Sequence, residues 1–287
     1  MYGYFTERDV NDNFCTDLAC ERRGVDPDVE GVEYKREVSV GGNWERIKIT
    51  SEPGADLIGR PIGIYNTLEV ARMDLLDEEA IGDAVGEIAN ELCYIFDISD
   101  IFPGRILVAG LGNPALTPDS IGCESAKRVK PTMHIKEFDK TFFSALNCTE
   151  IAVCTPGVNA TSGMDAQTFI KGLCSEIQPD AVIVIDALAS RSVNRLGTTV
   201  QICNTGVTPG SGLGNARNAI NKMTVGVPVI AIGVPTVIDS RLFISGEETQ
   251  NLQARAMMVS PKEINEITDA AAKIISGGIN KAFGIYG

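Results

Sequence analysis

Two aspartates that follow predicted buried strands are the strongest candidates for chemistry in this sequence. Asp186 ends an unbroken apolar run, residues 182–185, and Asp119 lies in the polar loop after an earlier run. A carboxylate at such a strand end is partly removed from water, which raises its pKa. If the second carboxylate lies nearby, like-charge repulsion favours one proton shared between the two. Such a pair can activate water with one member and protonate a carbonyl oxygen or leaving amine with the other, with neither histidine nor metal.

The same two aspartates also fit a structural role, because an aspartate after a strand commonly caps a helix or forms a turn. Spacing alone leaves both interpretations open. Few other groups compete for catalysis, since the chain has one histidine, His134, which any Ser-His-Asp or Cys-His catalyst would have to use. Its apolar neighbours Met133 and Ile135 favour a structural histidine. A His-rich zinc site cannot be built from one histidine.

Two glycine-rich loops are candidates for binding a ligand through backbone N–H groups. Residues 110–115 match the dinucleotide pattern G-x-G-x-x-G/A after a strand, but the turn at residues 117–119 interrupts the helix that should hold a pyrophosphate. Residues 209–214 could cradle an anion, or could be a glycine-rich turn that lets loops pack. A non-enzymatic nucleotide-binding module therefore stays open as an alternative.

Short apolar runs in the second part of the chain indicate the elements that would position these residues. Five runs are too short to span a membrane as helices and too uniformly apolar for one-sided strands, so they fit strands covered on both faces. They are residues 105–110, 150–154, 181–186, 199–203 and 228–233. Helical spacing covers residues 77–96, with Asp77 as N-cap, and residues 165–177 and 261–280. The prediction is a three-layer α/β/α sandwich with a mostly parallel central sheet, of the phosphorylase/hydrolase-like kind, whose sites lie beyond the carboxyl ends of the strands.

Composition and charge limit the classes of function. The chain has 287 residues and a net charge of −13, and an acidic surface disfavours direct nucleic-acid binding. It has no apolar stretch of the roughly 18 residues that a membrane span needs and no signal peptide. Its eight cysteines contain no C-x-x-C pair, which indicates reduced thiols in a cytosol, with Cys123 and Cys154 expected as small buried hydrophobes near the cleft. The first 25 or so residues are polar and predict an extended arm, and residues 38–50 predict a hairpin.

Taken together, the loops resemble those of the germination proteases of endospore-forming bacteria, a family related to the hydrogenase-maturation endopeptidases. The motifs that carry the likeness follow one another in chain order from about Thr16 to the end. They are Leu111-Gly112-Asn113 with residues 117–122, residues 156–164, 185–192, 209–215, 226–237 and 259–264.

The resemblance implies an endopeptidase that initiates the degradation of small acid-soluble spore proteins in the spore interior, which is a cytoplasmic location, with no cofactor. The catalytic carboxylates of the family match Asp119 and Asp186. The resemblance also implies an autoprocessed zymogen that assembles as a homotetramer. Because residues 16–19 resemble the start of the mature enzyme, the propeptide would be residues 1–15, cleaved between Cys15 and Thr16, and residues 16–287 would form one peptidase domain.

Secondary roles follow from this assignment. Backbone N–H groups of the two glycine-rich loops are expected to contact an oxyanion, and Arg191 is expected to pair with a carboxylate. The loop candidates are Gly112, Asn113, Gly210, Ser211 and Gly212. The alternative is a metal-dependent maturation endopeptidase of the hydrogenase-processing type with acidic ligands, although hard oxygen ligands alone would hold a divalent cation loosely.

Overall fold

A computed structural model describes residues 16–22, 30–211, 217–243 and 257–285. The predicted propeptide 1–15, including Cys15, and the loop residue Gly212 lie outside the described residues. The strands are β1 (Val32–Ser39), β2 (Gly42–Ile49), β3 (Gly63–Glu69), β4 (Arg105–Gly110), β5 (Glu150–Cys154), β6 (Ala181–Ser190), β7 (Thr199–Cys203), β8 (Val229–Asp239) and β9 (Met258–Val259). The helices are α1 (Ala19–Arg22), α2 (Glu52–Ile58), α3 (Glu78–Ile98), α4 (Ile121–Arg128), α5 (Met133–Phe138), α6 (Lys140–Leu146), α7 (Asn159–Ser162), α8 (Ala166–Ile177), α9 (Lys222–Val225) and α10 (Ile264–Ala282).

One mixed sheet runs through the described part of the chain. Its strand order is β1-β2-β3-β7-β8-β6-β4-β5, and β9 adds a short antiparallel pair to β8. The four strands β5-β4-β6-β8 are parallel to one another, whereas β7 runs antiparallel to both β8 and β3. The parallel part therefore brings the carboxyl ends of β4, β6 and β8 to one edge, where ligands bind in open α/β sheets.

Helices cover both faces of this sheet, which confirms the predicted three-layer α/β/α architecture. On one face Ile106 and Ile183 pack against α3 and α10 in the larger core cluster. On the other face Leu107 and Val182 belong to a second cluster, which takes in residues of α8. Side chains alternate between the faces along each strand, and all four are 0–1 % exposed. Because both faces are buried, the strands read as continuous apolar runs rather than alternating ones.

Local predictions from the sequence are confirmed in most elements. The hairpin forms between β1 and β2, although its first strand begins earlier than the predicted range, at Val32. Asp77 caps α3 and accepts a hydrogen bond from the Ala80 N–H at 2.9 Å. All five apolar runs are strands, but β7 is antiparallel. It is nevertheless buried along its whole length, because it lies inside the sheet between two antiparallel neighbours.

The predicted N-terminal arm is wrong for the described residues 16–22. Thr16 is 1 % exposed, and Leu18 and Ala19 are fully buried. The Ala19 N–H donates to Gln201 Oε1 at 2.8 Å, so the segment is attached to β7. Its polar groups suggested solvent exposure, but they are hydrogen-bonded to strand ends and loops, which satisfies them inside the protein.

Candidate active site

A cavity of about 330 Å³ opens at the edge where the parallel strands β4 and β6 end. Apolar side chains such as Leu111, Leu116 and Leu188 form much of its wall. Its charged residues are Asp17, Asp119, Asp186 and Arg217. A largely apolar hollow with a few convergent charged groups is the usual form of a small binding or catalytic site.

Asp186 is placed by the backbone of β6, where its register partner in β8 is Gly233. Its side chain is 7 % exposed, and its Oδ1 accepts a hydrogen bond from the Ala187 N–H at 3.0 Å. Two glycines allow α4 to approach this strand end closely. A Cβ on Gly122 would lie 2.3 Å from the Ile185 carbonyl oxygen, and a Cβ on Gly110 would lie 2.2 Å from the Gly122 carbonyl oxygen. The backbone itself therefore fixes the position of this aspartate.

Asp119 is placed by a short 3-10 turn, Thr117–Asp119, that precedes α4. The Asn113 N–H donates to both the Asp119 carbonyl oxygen, at 3.1 Å, and Asp119 Oδ2, at 2.9 Å. A register shift between β6 and β8 leaves Thr236 without a ladder partner, and its hydroxyl donates to the Pro118 carbonyl oxygen at 2.6 Å. Bulges commonly redirect a side chain next to a site. This one attaches the Asp119 turn to the sheet.

Asp119 and Asp186 lie in different electrostatic environments. Burial raises the pKa of Asp186 well above its usual value, and the charges of Asp119 and Asp17 raise it further. Burial also raises the pKa of Asp119, but the Asn113 N–H and the Arg217 charge oppose that shift. The pKa of Asp186 is thus shifted upward more strongly, and Asp119 is the member that is more easily ionised.

Of the other predicted site residues, some line the cavity and others do not. Gly112 and Gly210 line the cavity, whereas the Asn113 N–H is already engaged by Asp119. The Ser211 hydroxyl donates to Asp17 Oδ1 at 2.5 Å. Arg191 follows β6, where its backbone N–H donates to Glu21 Oε2 at 2.7 Å, and it is not among the described residues that line the cavity.

Two charged residues of the cavity were not singled out by sequence reasoning, Asp17 and Arg217. Asp17 lies in the stretch that was interpreted as a polar arm, and only contacts across more than 170 residues bring it to the end of β6. Arg217 lies just beyond the second glycine-rich loop, and its backbone N–H donates to the Pro209 carbonyl oxygen at 3.0 Å. A local pattern contains no signal for either position, because both depend on tertiary contacts.

The residues that carry alternative chemistries are placed as follows. His134 is exposed on α5 and does not line the cavity. Cys123 is 1 % exposed, with its Sγ 3.5 Å from the Gly112 carbonyl oxygen, and burial raises the pKa of its thiol. Within the described ranges, no group of three or more His, Cys, Asp or Glu side chains is arranged to hold a metal ion.

No helix in the described parts of the chain is both long and apolar enough to cross a membrane.

Comparison with known proteins identifies relatives along nearly the whole chain. A family model described as germination protease matches residues 13–253. The germination protease of Caldanaerobacter subterraneus subsp. tengcongensis is 35 % identical over 93 % of this chain and 93 % of its own, and that of Clostridium perfringens (strain ATCC 13124) is 32 % identical over 94 % and 95 %. The crystal structure of a [NiFe] hydrogenase maturation protease, HycI, from Thermococcus kodakarensis KOD1 is 19 % identical, covers 66 % of this chain and 99 % of its own, and has a TM-score of 0.39. The chain therefore belongs to the germination protease family and is a peptidase of spore germination.

Proposed function

We propose that this protein is the endopeptidase that initiates the degradation of small acid-soluble spore proteins, and that Asp119 and Asp186 hydrolyse the peptide bond as an acidic pair. The observation that carries the proposal is the meeting of these two carboxylates at one cavity with unequal environments. Asp186 is buried and its pKa is raised well above the usual value, and Asp119 is the more readily ionised. Pairs of titratable groups whose surroundings separate their pKa values are typical of acid–base catalysis.

In this mechanism ionised Asp119 is the base and protonated Asp186 is the acid. Asp119 takes a proton from a water molecule as the water oxygen attacks the scissile carbonyl carbon. Asp186 gives its proton to the carbonyl oxygen, so that the tetrahedral intermediate forms without a free negative charge. When the carbon–nitrogen bond breaks, the leaving amine takes the proton from Asp119 and the hydroxyl proton returns to Asp186. The pair is then restored.

The cavity supplies further groups for the intermediate. Gly112 and Gly210 line the wall, where their backbone N–H groups would contact the carbonyl oxygen while it takes up the proton from Asp186. Arg217 lines the same wall, and its charge opposes the rise in the pKa of both aspartates. It therefore favours the ionised form of Asp119 that the base requires.

The proposal extends to how the enzyme is made and where it acts. Residues 1–15 would be a propeptide removed by self-cleavage between Cys15 and Thr16, and the enzyme would act as a homotetramer in the cytoplasm of the spore. Thr16, which would follow this bond, is buried, and its carbonyl oxygen accepts a hydrogen bond from Arg60 Nη2 at 2.6 Å. Mass spectrometry before and after mild acidification is expected to show the loss of about fifteen N-terminal residues.

The catalytic assignment is tested with Asp119→Asn and Asp186→Asn in a cleavage assay on a purified small acid-soluble spore protein. Each variant is expected to lose at least about 10²-fold in kcat, because proton transfer by a positioned group typically contributes that much. Asp97→Asn, at an exposed position on α3, is the matched control and should cleave normally. Near-normal cleavage by either active-site variant, with folding confirmed by circular dichroism, would end the acid-pair mechanism. Loss of wild-type activity in a chelator, restored by a divalent cation, would favour the metal-dependent alternative.

A further inference from the structure

We infer that Asp17 is a positioning residue of this site. Its side chain attaches the N-terminal segment and the 206–211 loop to the end of β6, and its charge keeps the proton of the acid pair on Asp186. This inference rests on the acid-pair function proposed above. Asp17 does not take part in the proton transfers in that mechanism. Its role is exerted through Asp186 and through the loop that borders the cavity.

The contacts of Asp17 join three separate parts of the chain. Its N–H donates to the Ala189 carbonyl oxygen at 3.0 Å, and the Ala189 N–H donates back to Asp17 Oδ2 at 2.9 Å. This two-way contact attaches the segment to β6 only three residues beyond Asp186. The Ser211 hydroxyl donates to Asp17 Oδ1 at 2.5 Å, and Arg60 Nη2 lies 3.8 Å from the same oxygen. One carboxylate therefore connects a terminal segment, a central strand and a glycine-rich loop.

Asp17 lines two neighbouring cavities together with Asp186, which explains why its charge acts on Asp186. Asp17, Asp186 and Leu188 line both the main cavity and a smaller one of about 90 Å³ beside it. The smaller hollow extends from Arg60 to the 205–211 loop. Asp17 thus forms part of the wall of both cavities, as Asp186 does.

The charged neighbours of the pair are distributed unevenly. Asp119, Asp17 and Arg217 act on Asp186, and the Cys123 thiol beside it is neutral because burial raises its pKa. Asp17 raises the pKa of Asp186, whereas the shift of Asp119 arises from burial, the Asn113 N–H and Arg217. A third negative charge that acts on only one member makes the pair asymmetric. It keeps the proton on the buried member, and Asp119 remains free to act as the base.

The test compares Asp17→Asn with the wild-type full chain in the cleavage assay across pH. Asparagine retains an oxygen for the Ala189 N–H but removes the charge. The pKa of Asp186 should then fall, so the alkaline limb of the kcat/KM profile should move to lower pH. On that limb we expect a loss of about threefold to tenfold relative to wild type, with little change at acid pH.

Two matched variants separate charge from anchoring. Glu21→Gln removes another carboxylate of the same segment, one that accepts hydrogen bonds from Ser190 Oγ and the Ser192 N–H but does not line the cavity. It should lower the melting temperature and leave the pH profile unmoved. Ser211→Ala releases the loop and keeps the Asp17 charge, so it should raise KM without moving the alkaline limb.

A ¹³C NMR titration of the Asp186 carboxyl group gives a readout that does not depend on activity. A lower apparent pKa in Asp17→Asn supports the inference. An unchanged titration, or a pH profile that matches that of Glu21→Gln, overturns it and leaves the acid pair standing. Full activity of Asp119→Asn or Asp186→Asn refutes the acid pair instead, and the NMR titration still decides whether Asp17 controls the proton.

Discussion

Gly112→Ala is the substitution that most directly tests whether the backbone sets the position of Asp119. Gly112 has a φ of +96°, and a Cβ built on it would lie 1.9 Å from the Asp119 carbonyl oxygen. An alanine in left-handed backbone costs about 1–2 kcal/mol. Inserting a methyl group into a packed contact adds about 1–3 kcal/mol. The free energy of unfolding should therefore fall by about 2–5 kcal/mol, and the Asp119 turn must move away from Gly112 to relieve the overlap.

The displacement predicts a loss of activity as well as stability. A misplacement of about 1 Å can cost about 100-fold in rate, so kcat/KM should fall by that order. Gly163→Ala is the matched control, because Gly163 has a φ of +72° and no atom lies within 4 Å of a Cβ built there. It should lose only about 1–2 kcal/mol and keep its activity. Urea unfolding and the cleavage assay measure both quantities. Equal losses of stability in the two variants, with full activity in Gly112→Ala, would refute the reasoning.

Three further predictions concern burial and charge. Burial raises the pKa of Asp186, so the native state retains a proton that the unfolded chain releases near pH 3.9. Wild type therefore loses stability as the pH rises above about 4, and Asp186→Asn, which has no such proton, should gain stability relative to wild type over the same range. Each unit of that pKa difference is worth about 1.4 kcal/mol, measured by denaturant titrations at several pH values. Glu91, 2 % exposed, pairs with Arg46 and Asn66 at 2.5 Å each, and Glu91→Ala should cost about 3–5 kcal/mol in urea unfolding. Ile183→Ala should cost about 2–5 kcal/mol in the same assay, because the side chain is fully buried in the sheet.

Each of these predictions has a control at a more exposed position. Asp97→Asn should show no growing advantage with pH, and a flat difference for Asp186→Asn as well would contradict its raised pKa. Glu37→Ala also removes a partner of Arg46, but at a partly exposed site, and should cost less than about 1 kcal/mol. Val38→Ala, at a residue 89 % exposed, should change stability by less than about 0.5 kcal/mol. If the buried variants lost no more than their controls, the packing described above would be wrong.

The strands and the main helices were predictable from the sequence because burial imposes a pattern on the residues themselves. Strands buried on both faces are mostly apolar, so β4 and the first part of β6 stand out as continuous runs. The N-cap of α3 was predictable for a similar reason, since Asp77 bonds to a backbone group three residues away. In these elements the cause and the signal lie in the same short stretch of chain.

The direction of β7 and the seating of residues 16–19 were not predictable in this way. An internal antiparallel strand is as fully buried as a parallel one, so its composition does not reveal its direction. Thr16 and Asp17 are polar, and only their bonds to distant groups make burial tolerable. The candidate site shows the same division. Asp119 follows β4, and Asp186 lies within β6 at the end of an apolar run, so both could be singled out from the sequence, whereas Asp17 and Arg217 reach the cavity by tertiary contacts alone.

The close packing of α4 on the strand ends has a consequence for how this enzyme can change over time. Contacts between main-chain atoms at Gly110 and Gly122 set the distance from the helix to β6, and any larger side chain at either place would force the layers apart. Substitutions there should destabilise the protein, while Leu116 and Met258 on the cavity wall can be exchanged without disturbing that contact. Exchange of wall residues is thus expected to alter which peptide sequences fit the cavity, while the proposed catalytic aspartates stay in place.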